Sequence, residues 1–277
     1  MASNLSRVLK RNDKAFVPFV TAGHPDLETT HAIILALARA GATLIEIGVP
    51  FSDPVADGPI IQKSSFAALR NGYGINDYIE MVRQIRASSD VGLIFMTYLN
   101  PVLKYGLQKL DRDGAAAGLD GILISDLTPE EYLLMSESGY ASPVSVQEKS
   151  DARPSLFREL DTIFLAAPTS SEDRFRLIGE VSTGFVYLIA RTGVTGKRTQ
   201  IDESLRTSIR RIREYSDLPV AVGFGIRSRE DVEKVWSFAD AAVVGSAIVQ
   251  FVDENQASID LPEQVAGYVS RQFIPAK

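Results

Sequence analysis

From Phe16 to Ser246 the sequence alternates short apolar runs, rich in β-branched residues, with longer amphipathic stretches, and no linker interrupts the alternation. The strand candidates are Phe16 to Ala22, Thr43 to Gly48, Val91 to Tyr98, Asp120 to Ser125, Ile163 to Ala166, Gly184 to Ala190, Leu218 to Val222 and Asp240 to Val244. Continuous apolar runs of this kind suit strands covered on both faces, as in parallel sheets. Eight strand–helix pairs without an internal boundary point to one closed α/β structure, a single (β/α)8 TIM barrel spanning residues 1–277 as one domain; an open doubly wound sheet is the alternative. A chain of 277 residues, 45% of them hydrophobic, can bury a core of that size.

Local signals place the helices. The spacing of Leu5, Val8 and Leu9 predicts a short amphipathic N-terminal helix over Asn4 to Lys10, of the kind that plugs the base of a barrel. Asp26 caps a helix running to about Ala40, and Thr128 with Pro129, Glu130 and Glu131 reads as the N-cap and acidic first turn of another. Asn100-Pro101 reads as a break before a helix-rich segment ending near Gly118. The stretch from about Glu137 to Phe157, after the fourth strand, contains Gly139, Pro143 and Pro154 and reads as a surface insertion.

Composition narrows the chemistry. The net charge of -6 argues against nucleic acid or an anionic membrane as the main partner. The absence of cysteine excludes disulfides, thiolate metal sites and cysteine nucleophiles, and His24 and His31 have no matching ligand set, so no metal is expected. The N-terminus carries charges where a signal peptide needs an apolar core, and no run is long and apolar enough to cross a bilayer, so a cytoplasmic protein is expected.

The densest chemistry lies in Leu44-Ile-Glu-Ile-Gly-Val-Pro-Phe-Ser-Asp-Pro-Val-Ala-Asp-Gly-Pro59, where an apolar strand carries Glu46 and opens into a loop holding Asp53 and Asp57. A carboxyl group in an apolar barrel mouth should have a raised pKa, which suits proton donation and acceptance near neutral pH. Asp57, in a polar loop, is expected to stay ionised, so the two groups divide the roles of proton shuttle and charge stabiliser; Asp53 is expected to be a loop or interface residue. In a barrel the loops after strands six, seven and eight lie side by side. Their glycines, in Thr195-Gly196, Gly223-Phe-Gly225 and Gly245-Ser246, offer backbone N–H groups, and Ser246 begins a helix whose positive end accepts an anion, so a phosphorylated substrate is expected. Phe19, Tyr98, Leu123, Tyr187 and Phe224 lie near strand ends and are candidates to line an apolar or aromatic pocket; core packing is the alternative for each.

The runs FVPFVTAGHP, IEIGVPFSDPVADGPIIQ, FMTYLNP, IFLAAPTSSEDRF, RTGVTG, VAVGFGI and VVGSAIV, in this order, resemble the tryptophan synthase alpha subunit over nearly the whole chain. The resemblance implies a lyase of tryptophan biosynthesis that cleaves indole-3-glycerol phosphate, by a retro-aldol reaction, to indole and glyceraldehyde 3-phosphate. It implies that Glu46 protonates indole C3 and removes the glycerol hydroxyl proton, and that Asp57 accepts the indole N–H. It further implies that Thr195 positions Asp57 and Tyr187 contacts substrate, while Gly196, Gly225, Gly245 and Ser246 bind phosphate. No cofactor is implied in this chain, since pyridoxal phosphate belongs to the beta subunit with which the family forms an α2β2 heterotetramer. Closure of the stretches Phe51 to Pro59 and Arg191 to Gln200 is implied to couple the two subunits. Where the family often reads Pro-Asp-Leu-Pro after the fourth strand, this chain has Ser125-Asp-Leu-Thr128. Two other readings remain at this point: a mainly allosteric, weakly catalytic subunit, and a different phosphate-binding barrel isomerase.

Overall fold

The computed structural model describes residues 4–11, 14–138, 155–189, 203–223 and 225–274. Eight parallel strands close into a barrel in sequence order: β1 (Ala15–Thr21), β2 (Leu44–Gly48), β3 (Gly92–Thr97), β4 (Gly121–Ile124), β5 (Asp161–Ala166), β6 (Val186–Ile189), β7 (Val220–Gly223) and β8 (Ala241–Val244). Pairing of β1 with β8, where Phe16 sits opposite Ala242 and Val17 opposite Val243, closes the ring. A closed ring leaves no sheet edge, so the open doubly wound alternative is excluded.

The continuous apolar runs are explained by two separate cores. Side chains alternate across a strand, so each run supplies both an inner and an outer face. In β1, Ala15, Val17 and Phe19 belong to the apolar cluster that also contains Phe185 and Val243, whereas Phe16 and Val20 join the larger cluster beneath the helices. In β2, Leu44 points into the inner cluster and Ile45 and Ile47 into the outer one. Glu46 therefore follows Leu44 into the barrel interior, and its carboxyl group is carried there by the alternation of its own strand.

Helices α1 (Asn4–Arg11), α2 (Leu27–Arg39), α3 (Pro59–Leu69), α4 (Ile75–Arg86), α5 (Leu99–Tyr105), α6 (Leu107–Ala117), α7 (Pro129–Glu137), α8 (Glu172–Val181), α9 (Glu203–Tyr215), α10 (Arg229–Trp236), α11 (Ser246–Asn255) and α12 (Leu261–Gln272) complete the described secondary structure. The caps read from sequence are present: Asp26 accepts the Thr29 N–H, and Thr128 and Glu131 form a reciprocal capping box. The break read at Asn100-Pro101 is present: β3 ends at Thr97, and helices α5 and α6 run on to Ala117. Asn100 and Pro101 lie inside the first turn of α5, where an amide has no intrahelical acceptor and proline loses nothing, and Asp126 Oδ1 accepts the Leu99 N–H at 2.7 Å. The strand–helix alternation does not call for α12, yet it packs along α2, and the following Phe273 is buried against Phe16.

Of the segment expected as an insertion, residues 139–154 lie outside the described residues. Its return into β5 is held by Asp111 of α6, which is buried and accepts the backbone N–H groups of Arg158, Glu159 and Leu160 at 2.9–3.1 Å. No helix among the described residues is long and apolar enough to cross a membrane.

The N-terminal helix does plug the barrel floor. Leu5 and Leu9 are buried in the inner cluster, and Leu5 lies over Gly121 and Gly184, where a Cβ would approach its Cδ1 to 2.7 and 3.1 Å. Those two glycines clear the space that Leu5 fills. Leu5→Ala should therefore leave a cavity beneath the barrel and destabilise the protein by about 3 kcal/mol. Urea unfolding checks this, with a lower midpoint and an unchanged slope as the expected outcome.

Candidate active site

Glu46 is 1% exposed, and its Oε1 has no hydrogen-bond partner among the described residues. Burial, with the nearby charge of Asp57 as a second cause, pushes its pKa up to about 8. The carboxyl group is therefore protonated at neutral pH, as expected of a group that donates a proton.

Asp57 lies one residue before the Gly58 N-cap of α3, in a turn closed by the bond from the Asp57 N–H to the Pro54 carbonyl at 3.0 Å. Gln62 of α3 reaches back and donates to the Asp57 carbonyl at 2.9 Å, tying the turn to the helix. Tyr98, at the end of β3, accepts the Ala56 N–H at 3.0 Å and donates its hydroxyl to Asp57 Oδ2 at 3.0 Å. The ring of Phe51 packs on Tyr98 with centroids 5.2 Å apart. Asp57 is half-buried rather than solvated, and burial pushes its pKa up to about 6 while the Tyr98 hydroxyl pulls it down. It stays mostly ionised at pH 7, but closer to its titration point than a polar loop would suggest. Asp53 is exposed and accepts the hydroxyl of its neighbour Ser52.

A cavity of about 490 Å³ opens at the C-terminal ends of the strands, and Glu46 and Asp57 both reach it. Two of its aromatic walls depend on glycines in adjacent strands. The Phe19 ring lies over Gly48, where a Cβ would come within 2.3 Å of Cζ, and the Tyr187 hydroxyl lies over Gly223, where a Cβ would come within 2.0 Å. Alanine at either position would drive the ring out of place. Burial, with Glu46 and Asp57 nearby, keeps the Tyr187 phenol far above its ordinary pKa, so it remains a neutral hydroxyl.

The same cavity is lined by Gly225, whose φ of 82° suits a residue without a Cβ, and by Gly245 and Ser246 at the start of α11. Gly245 is the N-cap, and no side chain caps the helix, so its first backbone N–H groups remain available to an anion.

The structure sorts the residues expected from sequence. Phe19, Glu46, Asp57, Tyr187, Gly225, Gly245 and Ser246 share the cavity wall. Tyr98 is not on that wall; it is buried behind Asp57 and holds its carboxylate. Leu123 is not on it either; it is fully buried in the inner core, opposite Met96 and Ile163. Thr195, Gly196 and Phe224 lie outside the described residues. The wall also includes residues that no local signal marked: Ile60 and Ile61 from α3, Met96 from β3, Arg227 from the loop after β7, and Gln250 and Glu254 from α11. Among the described residues, no group of three or more His, Asp or Glu could hold a metal ion.

A buried carboxyl group with a raised pKa makes the folded state hold a proton that the unfolded chain releases above about pH 4.5. Stability from this group is thus fully present below that pH and is lost as pH rises through about 8. Glu46→Gln should remove the penalty, raising Tm relative to the parent at pH 8.5 by more than at pH 4.5. Thermal unfolding across that range tests it, and a constant difference would contradict the assigned burial. Tyr98→Phe should raise the Asp57 pKa further above 6, visible as a shifted carboxyl titration in NMR.

A family model described as "Tryptophan synthase alpha chain" matches residues 5–271. The tryptophan synthase alpha chain of Solibacter usitatus is 45% identical over 261 residues, covering 94% of this chain and 92% of the relative. That of Geotalea uraniireducens is 41% identical over 271 residues, covering 98% and 95%. Among solved structures, Mycobacterium tuberculosis tryptophan synthase superposes with a TM-score of 0.81 at 34% identity, covering 100% of both chains. A Pyrococcus furiosus structure, described as showing the mutual activation of the tryptophan synthase α2β2 complex, superposes with a TM-score of 0.77 at 33% identity, covering 94% and 96%.

Proposed function

The chain belongs to the tryptophan synthase alpha chain family, and from that premise we propose that Glu46 and Asp57 together cleave indole-3-glycerol phosphate in the cavity at the barrel mouth. The protein is the alpha subunit, a lyase that forms indole and glyceraldehyde 3-phosphate in tryptophan biosynthesis. The observation that carries the residue assignment is the protonated, unpartnered Glu46 carboxyl group on the same cavity wall as the ionised, Tyr98-held Asp57.

In this reading Glu46 gives its proton to C3 of the indole ring, leaving a positive charge centred on the ring nitrogen. Asp57 accepts the indole N–H and stabilises that charge as it forms. Glu46, now a carboxylate, takes the proton of the glycerol hydroxyl next to the ring. As the new carbonyl forms, the bond between C3 and the glycerol carbon breaks and its electron pair neutralises the ring. Glu46 ends protonated, ready for another turnover, and the proton count balances without any other group.

Phe19 and Tyr187 offer apolar walls to the indole ring. Gly225, Gly245 and Ser246 receive the phosphate, with Thr195 and Gly196 retaining the roles that the family motif assigns them and Phe224 remaining a pocket-lining candidate. The partner is a beta subunit in an α2β2 assembly, and pyridoxal phosphate is assigned to that subunit rather than to this chain. Val55, 83% exposed in the loop that carries Asp57, offers an apolar contact that such a partner would cover.

Activity needs Glu46 protonated and Asp57 ionised, so indole formation should follow a bell between about pH 6 and about pH 8. Glu46→Gln should lower kcat at least about a thousandfold while retaining affinity for glycerol 3-phosphate. Indole release, measured for the chain alone and mixed with a beta subunit, tests both chemistry and partnership. An active Glu46→Gln variant would sink the assignment.

A further inference from the structure

Resting on the lyase reading above, we propose that Arg227 is a side-chain cation that binds the substrate phosphate and makes the site selective for a phosphorylated substrate. The cavity wall carries carboxyl groups from Glu46, Asp57 and Glu254, and among its described residues Arg227 is the only cation. A phosphate monoester carries about 1.5 to 2 negative charges near neutral pH, whereas a helix N-terminus offers about half a positive charge. The start of α11 and the glycine amides thus leave about one charge or more unbalanced, on a wall already rich in carboxyl groups. One guanidinium supplies that charge, along with the planar fork of donors that suits phosphate oxygens.

The backbone holds Arg227 at the anion side of the cavity. Its N–H donates to Asp231 Oδ2 at 3.0 Å, while the Asp231 N–H donates to Ser228 Oγ, the N-cap of α10, at 3.2 Å. These two bonds fix the Arg227 main chain two residues after Gly225. Its guanidinium makes no ion pair among the described residues. Neighbouring arginines are committed elsewhere: Arg229 donates to the Arg271 carbonyl, Arg211 pairs with Glu172, and Arg213 pairs with Asp240. Arg227 thus combines a fixed anchor with an uncommitted charge on the cavity wall.

The test compares the parent with Arg227→Ala and Arg227→Lys. Calorimetry with glycerol 3-phosphate should show affinity falling about tenfold in Arg227→Ala and by a smaller factor in Arg227→Lys, which keeps the charge but loses the fork. In turnover, KM for indole-3-glycerol phosphate should rise by the same factor with kcat within about twofold. The preference for that substrate over its dephosphorylated counterpart, as a ratio of kcat/KM values, should fall about tenfold. An unchanged affinity for glycerol 3-phosphate in Arg227→Ala, or an equal loss with both substrates, would overturn the proposal, as would failure of the parent to bind glycerol 3-phosphate. Calorimetry needs no turnover, so a parent protein that binds this ligand without cleaving the substrate would defeat the lyase reading and leave the Arg227 contact standing.

Discussion

The burial of one carboxyl group inside an apolar barrel is the constraint on which the site depends. Glu46 is directed inward by the alternation of β2, among side chains that offer its Oε1 no hydrogen bond. Ionising it there would cost several kcal/mol, so the folded protein keeps the proton instead. A proton held by desolvation is also one the group can give up and recover near neutral pH. The feature that costs stability as pH rises is the same feature that allows acid and base chemistry from a single side chain.

Around that group the barrel is built by close approach. Gly48 and Gly223 give up side-chain packing in their strands, and the space goes to the Phe19 ring and the Tyr187 hydroxyl. The barrel floor uses the same device, with Gly121 and Gly184 receiving Leu5 of the plug helix. Rings held in this way shape the cavity from rigid strands. The groups that differ in electrostatic role, Asp57 and the Gly225 to Arg227 segment, sit on loops anchored by short hydrogen-bond circuits. Tyr98 and Gln62 anchor the first loop, and Asp231 anchors the second. Strands thus hold the proton-carrying group in a dry interior, while loops hold charges where a ligand can reach them.

Much of this was legible in the sequence, because it follows from local pattern. Eight apolar runs separated by amphipathic stretches fix the class of fold, and Asp26 and Thr128, read as caps, hold their helices through bonds to residues three positions on. Glu46 stood out as a carboxyl group in an apolar run, and Gly245-Ser246 as a strand end leading into a helix whose positive end accepts an anion. Asn100-Pro101 marked the end of β3 correctly, and its proline is tolerated there because it falls in the first turn of α5. Arg227 and Glu254 carried no signal, since a charged residue in a loop or on a helix face is most often only solvated.

By itself the sequence determined the order of strands and helices and the family through its ordered motifs, whereas the inward and outward faces of the apolar strands came from the structure. Tertiary structure alone decided which of the expected residues share a wall. Tyr98 proved to be a holder of Asp57 rather than a lining residue, and Leu123 a core residue, because both outcomes depend on what neighbouring strands present at that height. Tertiary structure also decided that Asp57 is half-buried and raised toward about 6, since desolvation comes from atoms distant in sequence that the fold brings around it.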